Sequence, residues 1–324
     1  MRLIESKAEY IPQEEGLEGI YKQIELAGRT AYHSQDKITS HSAEDFVRRM
    51  IKSNHGAALE HGTVYLSFEL ATYNRLGREV ISKYVKNKYS KVVYVSNSAY
   101  HRGPSYKLFD VMQDDIRGDR TYYITTNYRI LIENNWLDDL QYLCSPTEFH
   151  EKRYTMRFTC SRAIAQELTR HRTFSFLMES QRYINYSKER HGGEITFIKP
   201  TWYDDKKTAV LENPKSVLEA NIFSQDSKSY QFEKQLSSAE AAYFRLLNEG
   251  CQPQQAREVL PNATKTELIM TGFASDWKHV MDLRLFGKTG APHPDMKDLM
   301  QKAQKVMQEA GIWEDIMSKP SKFK

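Results

Sequence analysis

Cysteine is scarce in these 324 residues. Cys144, Cys160 and Cys251 are odd in number, far apart and without CxxC or Cys/His spacing, which argues against a disulfide framework or structural zinc and for a reducing compartment. No apolar run approaches the roughly 18 residues of a membrane span. The start, Met1-Arg2-Leu3-Ile4-Glu5, is charged where a signal peptide needs an apolar stretch. We therefore expect a soluble, cytoplasmic protein without membrane contact. An excess of one charge is also lacking: 46 Lys+Arg against 42 Asp+Glu leave +4, too little for general coating of nucleic acid, so functional positive charge must be local. GxSxG, GxGxxG and Walker-type loops are missing, so no hydrolase elbow, Rossmann site or P-loop is indicated. His55 and His61 stand around a glycine with Glu60, but without HExxH spacing or a third ligand, and no metal is expected. Neither repeats nor a long linker divide the chain. Its 40% hydrophobic and 12% aromatic content can supply the core of one α+β domain, a mixed helix/sheet unit over 1–324.

What is present reads in order. Periodicity predicts helices over Gly16–Gly28 and from Ser42 to about Asn54, then a strand where Val64, Leu66, Phe68 and Leu70 alternate with more polar residues. Residues 71–120 are rich in Lys, Tyr, Ser and Asn and read as an excursion, not a separate packed domain, with a turn at Gly103-Pro104 and a polar loop at 114–119. Tyr122–Trp136 should begin as strand and continue as helix. Tyr154, Met156, Phe158 and Cys160 alternate with Arg153, Thr155, Arg157 and Thr159 as a strand, and Ser161 is placed to cap a short helix through Leu168. Further on we expect a short strand at Ile195–Ile198, a polar stretch over 204–226, and helices at Phe232–Asn248, Gln254–Leu260, Thr264–Thr271, Ser275–Phe286 and Pro294 to about Ala310.

The densest chemistry lies between Arg170 and Tyr183, where Arg170, His171, Arg172, Ser175, Ser180 and Arg182 are interleaved with Phe174, Phe176 and Tyr183. Guanidinium groups this close repel one another unless an anion sits among them. Their forked donors, beside hydroxyls, suit phosphate oxygens. A solvated basic loop and a single-strand nucleic-acid surface are the other readings of the same residues. Arg257 and Arg284 add cations on later helices, and a salt bridge to Glu258 would account for Arg257 without a ligand.

The stretch also resembles the signature of flavin-dependent thymidylate synthases: Arg170-His171-Arg172, seven residues, Ser180, then Gln181-Arg182-Tyr183. Similar patches follow the same order, with Glu60-His61 before a strand, Ala256-Arg257 before Leu260-Pro261, and Asp282-Leu283-Arg284 followed by His293. The likeness covers about 15–70 and 120–310. It implies a thymidylate-synthase-complementing type fold, a homotetramer with sites shared between subunits, and an insertion at about 71–150. It further implies reductive methylation of dUMP to dTMP, with methylene-tetrahydrofolate as carbon donor, FAD reduced by NADPH, and no covalent enzyme nucleophile. Carried over by position, dUMP would meet Glu167, Arg170, Met178, Glu179, Ser180, Gln181, Arg182, Arg257 and Arg284, with Glu167 contributed by a neighbouring subunit. Arg284, Ser180 and Arg170 would carry catalysis, Arg284 by stabilising charge on the uracil. The flavin would meet His55, Ala57, Arg170, His171, Arg172, Met178, Phe273, Ala274, Ser275, His279 and His293. Two departures stand out: Met178 at a position often Glu or Gln in that family, and His279 where Asn is frequent. A synthase-like scaffold without activity is the remaining alternative.

Overall fold

A computed structural model describes residues 1–70, 75–96, 104–105, 120–182, 184–188, 192–204 and 228–322. Tyr183 and the polar stretches expected at 114–119 and beyond Asp204 to 226 lie outside the described residues. Two antiparallel four-stranded sheets organise the rest. The first runs β2 (Lys7–Tyr10), β7 (Arg153–Ser161), β10 (Lys265–Phe273), β8 (Ser175–Met178). The second runs β3 (Thr63–Leu70), β6 (Arg120–Asn127), β4 (Lys91–Ser96), β5 (Pro104–Ser105). A parallel pair, β1 (Arg2–Ile4) with β9 (Thr196–Ile198), completes the strands among the described residues.

Alternation explains β7 and β3. Met156, Phe158 and Cys160 of β7 point with Leu268 and Met270 of β10 into a core roofed by α9 (Ala274–Arg284), α10 (Pro294–Glu309) and α11 (Trp313–Ser318). Trp277, Leu299, Met300 and Ile316 close that core, each buried. Val64, Leu66 and Phe68 of β3 join Ile124 of β6 in a second core covered by α1 (Gly16–Ala31) and α2 (Ser42–Lys52), through Ile20, Ile24, Phe46 and Val47. A third, smaller core packs Phe197 against Leu236 and Tyr243 of α7 (Lys228–Asn248) and Ala256 of α8 (Pro253–Ala256). No described helix is long and apolar enough to cross a membrane.

Two expectations are overturned. Thr264–Thr271 is not a helix: from Lys265 on it lies in β10, a central strand of the first sheet, which pairs along its whole length with β7 and over Leu268–Thr271 with β8. Burial on both faces made Leu268-Ile269-Met270 a continuous apolar run, and such a run does not distinguish helix from strand. Residues 71–120 are more than an excursion from the sheet. They carry helix α4 (Arg75–Val85), and β4 pairs with β6 from Lys91↔Thr125 to Ser96↔Arg120, with β6 running on into helix α5 (Tyr128–Glu133). Pro104, expected in a turn, pairs with Val95 as part of the edge strand β5, where a missing N–H is tolerated. β8 was not anticipated either, because its four residues are held by β10 and not by a pattern of their own.

Candidate active site

Ser161 sets the site's first element. Its hydroxyl accepts the Ile164 N–H at 3.3 Å, capping α6 (Arg162–Leu168) as the sequence implied. The chain then turns tightly, with the His171 N–H on the Leu168 carbonyl at 3.1 Å and the Phe174 N–H on the His171 carbonyl at 3.1 Å, before entering β8. Across β10 comes α9, and its last residue, Arg284, meets the end of α6. Arg284 Nε donates to His171 Nε2 at 3.3 Å, Nη1 lies 3.2 Å from Glu167 Oε2, and Nη2 reaches the Glu167 carbonyl at 3.4 Å. The negative ends of two helices thus converge on one guanidinium, a favourable place for a cation. Burial, then the positive charge of Arg284, pushes His171 down to about 4, so its imidazole is neutral near pH 7 and accepts through Nε2. His279 stacks edge-on to it at 6.2 Å, and burial lowers its basicity too.

The end of α9 is held by Asp282, which is fully buried. It binds Lys278 Nζ at 2.6 Å, Lys288 Nζ at 3.0 Å and the Ser321 hydroxyl at 2.6 Å. Burial alone would raise its pKa, but these partners hold the carboxyl below its usual range. The Asp-Leu-Arg pattern therefore couples an anchor to the group it presents.

A second set follows β8. Glu179 is buried: its N–H binds the Glu267 carbonyl at 2.8 Å, and its carboxylate takes Lys265 Nζ at 2.9 Å and the Glu267 N–H at 3.1 Å. These bonds make it a brace of the sheet edge. Ser180 hangs from α1 by its N–H to the Ala31 carbonyl at 3.0 Å, while its hydroxyl makes no hydrogen bond within the described residues. Gln181 is buried with Nε2 unsatisfied. Arg182 Nε donates to Gln254 at 3.2 Å, one helical turn before Arg257, which places both arginines on one rim. Arg257 does approach Glu258, at 3.7 Å, but both side chains are exposed and the contact is weak. Arg170 and Arg172 are exposed, and their side chains pair with no described residue. Met178 faces inward against the first core.

The remaining candidates are dispersed. His55 is exposed, 3.5 Å from the Tyr32 hydroxyl, and Ala57 is exposed on the short helix α3 (Gly56–Leu59). Phe273 and Ala274 are buried at the opposite end of α9 from Arg284, and the Ser275 N–H binds Glu151 at 3.0 Å. His293 caps α10 and lines a separate cavity of about 150 Å³ with Trp202, Phe232 and Asn262. A cavity of about 320 Å³ between the two sheets, lined by Tyr10, Gln13, Tyr65, Lys152, Arg153 and Asp315, includes none of the expected residues. One chain thus joins Glu167, His171, His279 and Arg284, sets Arg182 and Arg257 on another rim, and leaves the others apart.

Sequence reasoning missed a buried polar knot beside the site. Arg153 donates through both Nη atoms to the Glu60 carbonyl at 3.2 Å, to Thr63 at 3.3 Å and to Ser175 at 3.2 Å, with no carboxylate among the described residues paired to it. Burial pulls its pKa down to about 10. His61 Nδ1 meets Thr271 Oγ1 at 2.8 Å, and burial, then Arg153, lowers the ring to about 3. Alternation marked Arg153 for the polar face of β7; the second sheet covers that face.

Comparison with known proteins locates the likeness in the same elements. The family model described as thymidylate synthase complementing protein matches residues 134–310, more than half of the chain. A flavin-dependent thymidylate synthase of Corynebacterium glutamicum is 32% identical over 128 residues, 38% of this chain and 46% of that protein. One from Pyrococcus furiosus is 27% identical over 158 residues, 48% of this chain and 53% of that protein. The chain spans about half the length of these curated relatives. A solved UMP/dUMP methylase, PolB from Streptomyces cacaoi bound with 5-Br dUMP, aligns over 98% of this chain and 97% of its own at 14% identity, with a TM-score of 0.41.

Proposed function

This chain belongs to the thymidylate synthase complementing protein family, and from that premise we propose that it converts dUMP to dTMP by reductive methylation. Methylene-tetrahydrofolate is the carbon donor and FAD, reduced by NADPH, the reductant. The observation that carries the reading is Arg284, held at two helix ends with side-chain exposure of 22%. Arg284 faces the uracil and stabilises negative charge as N3 ionises, which makes C5 nucleophilic. Neutral His171 fixes the guanidinium plane without adding charge.

Cysteine chemistry is not needed for this reaction, and the thiols agree with that. Burial pushes Cys160 up to about 12 and also raises Cys144, so neither is poised as a thiolate. Ser180, with an uncommitted hydroxyl, Arg182 and Arg257 bind the dUMP phosphate, a dianion suited to forked donors. Gln181 contributes its unsatisfied amide, and the backbone around Met178 and Glu179 borders the sugar.

The residues available to a flavin fit its chemistry. Arg170 and Arg172 offer unpaired guanidinium groups to a diphosphate, while His55, Ala57, Phe273, Ala274, Ser275, His279 and His293 offer imidazoles, small residues and an aromatic edge for the remainder. When bound, the flavin supplies the hydride. Because these groups lie apart in one chain, we infer that each site is shared between subunits of a homotetramer. The protein acts in the cytoplasm and binds neither membrane nor nucleic acid.

Purified protein, reconstituted with FAD if necessary, is expected to show a flavin spectrum that dUMP perturbs, and to sediment as a tetramer. A protein that takes up no flavin, or whose flavin ignores dUMP, would remove the reading.

A further inference from the structure

The turn between α4 and β4 carries charge that the fold does not use. Lys86-Asn87-Lys88-Tyr89-Ser90-Lys91 holds three lysines in six residues and no acid, and it lies outside the residues that the family model matches. Lys83, on the last turn of α4, is absorbed by the fold: its Nζ sits 2.5 Å from Asp139 Oδ2 and 4.8 Å from the centre of the Trp136 ring. Lys86, Lys88 and Lys91 are exposed and pair with no carboxylate among the described residues. Cations this close in the chain repel one another unless an anion joins them.

The turn is also fixed. The Asn87 N–H donates to the Tyr84 carbonyl and the Ser90 N–H to the Asn87 carbonyl, both at 3.1 Å. The Tyr89 N–H binds Asn87 Oδ1 at 2.8 Å, and the Ser90 hydroxyl ties the turn to Thr126 of β6 at 2.9 Å. Lys88 Nζ lies 4.8 Å over the Tyr89 ring, which is 44% exposed. At the other end Lys91 Nζ stands 5.5 Å over the Phe273 ring, and the Arg153 guanidinium stands 5.6 Å over the same ring. The turn therefore reaches the end of β10, where Phe273, Ala274 and Ser275 are assigned to the flavin. Two cations on one ring, neither paired with a carboxylate among the described residues, favour negative charge at that edge.

Resting on the reading of this chain as a flavin-dependent synthase, we propose that the turn at 86–91 docks the phosphorylated adenosine end of a dinucleotide. Lys88 and Lys91 donate charge-assisted hydrogen bonds to phosphate oxygens. Tyr89 stacks on the adenine, whose π-face suits an exposed aromatic ring. A simple anion would use the lysines and leave the tyrosine idle; a base that carries phosphates uses both. The ordered backbone keeps the entropic cost of docking low. FAD and NADPH share this end, FAD with a diphosphate and NADPH with a further 2′-phosphate.

The test has two arms. Apo-protein is titrated with FAD, followed by flavin fluorescence, and FAD-loaded protein is titrated anaerobically with NADPH and with NADH, followed by bleaching of the flavin absorbance. Replacing both lysines, Lys88→Gln with Lys91→Gln, keeps the apolar stems and removes the charge. It should raise the dissociation constant of FAD, or the half-saturating NADPH concentration, by about tenfold or more. Lys88→Arg with Lys91→Arg should stay within about threefold of wild type, because charge and donors persist. Tyr89→Ala should weaken the same ligand by about fivefold or more, and Tyr89→Phe should not. Weakened FAD assigns the turn to the flavin diphosphate. An effect on NADPH alone, with FAD and NADH unchanged, assigns it to the 2′-phosphate. FAD and NADPH binding both unchanged in the glutamine pair would overturn the role of the turn and leave the synthase reading standing. Equal losses in the glutamine and arginine pairs would mark a structural role and overturn it as well. So would a glutamine pair that loses affinity for a single-stranded oligonucleotide and for neither dinucleotide. Wild-type protein that takes up no flavin would overturn both readings.

Discussion

Arg153 and Arg284 lie near opposite ends of the same helix, and the fold treats them in opposite ways. Phe273, the residue before α9, lies under the Arg153 guanidinium at 5.6 Å; Arg284 closes the helix. Arg153 is deeply buried, bonded to neutral oxygens from α3's end, β3 and β8. Arg284 is half-buried and holds a carboxylate and an imidazole that both reach solvent or a neighbouring ring. The first arrangement clamps the second sheet to the first, and a ligand could not displace its partners without opening the core. The second is an ion pair of modest worth whose members can change partners. Cationic character alone therefore does not mark a binding arginine; exchangeable partners do.

The sharpest way to break this comparison is Arg153→Met. It leaves the Glu60 carbonyl, Thr63 and Ser175 without this partner at a buried position, and each lost partner costs about 1–3 kcal/mol. We expect a loss of about 3 kcal/mol or more in urea unfolding, and an unchanged midpoint would show that the clamp is dispensable. Acid probes both clusters, through His61 beside Arg153 and His171 beside Arg284. His61 and His171 titrate at about 3 and about 4 in the folded chain, below the ordinary 6.5 of the unfolded one. Between those values the unfolded state binds more protons. Their contribution is complete above pH 6.5 and is lost as pH falls towards 4 and then 3. Melting temperature should fall across that window, less steeply in His61→Asn.

Gly272→Ala should follow in size. A Cβ there would stand 2.3 Å from the Phe174 ring, which is itself wedged against Trp277 at 4.8 Å. Overpacking of this kind costs about 1–3 kcal/mol, read by thermal melting. Ser161→Ala comes next at about 1 kcal/mol, because it frees the Ile164 N–H at the start of α6. That loss should appear as faster amide exchange over residues 162–168; unaltered protection would mean that the cap is redundant.

These positions also show what the sequence could convey. Helices with one apolar face (α1, α2, α7, α10) and strands with one core face (β3, β7) were legible, as was the Ser161 cap, since each is set by local pattern. β10 was misread because burial on both sides erases alternation, and β8 because four residues carry no period of their own. For the site, the arginines were visible but their partners were not. Nothing local says that Glu167 lies on Arg284, 117 residues away, or that Glu179 is occupied by Lys265. Arg153 looked like any polar strand residue because its burial depends on β3 and β8, both non-local.

The smallest stability effect should come from Arg284→Ala, and it bears most directly on the contrast between the two arginines. Its ion pair with Glu167 is about a quarter exposed on both sides, and such pairs contribute about 0–1 kcal/mol; the His171 contact is longer than an ordinary hydrogen bond, at 3.3 Å. Folding should barely notice the loss, and FAD uptake should persist, because Arg170 and Arg172 are untouched. On the proposed reading, binding of dUMP should lose a cation at the uracil edge and turnover the group that stabilises the ionised ring. The expected result is a melt within a few degrees of wild type together with abolished dTMP formation. An inactive variant that also unfolds would make Arg284 a second clamp, and the distinction from Arg153 would collapse. Undiminished turnover would instead remove Arg284 from the chemistry and shift attention to the rim of Arg182 and Arg257.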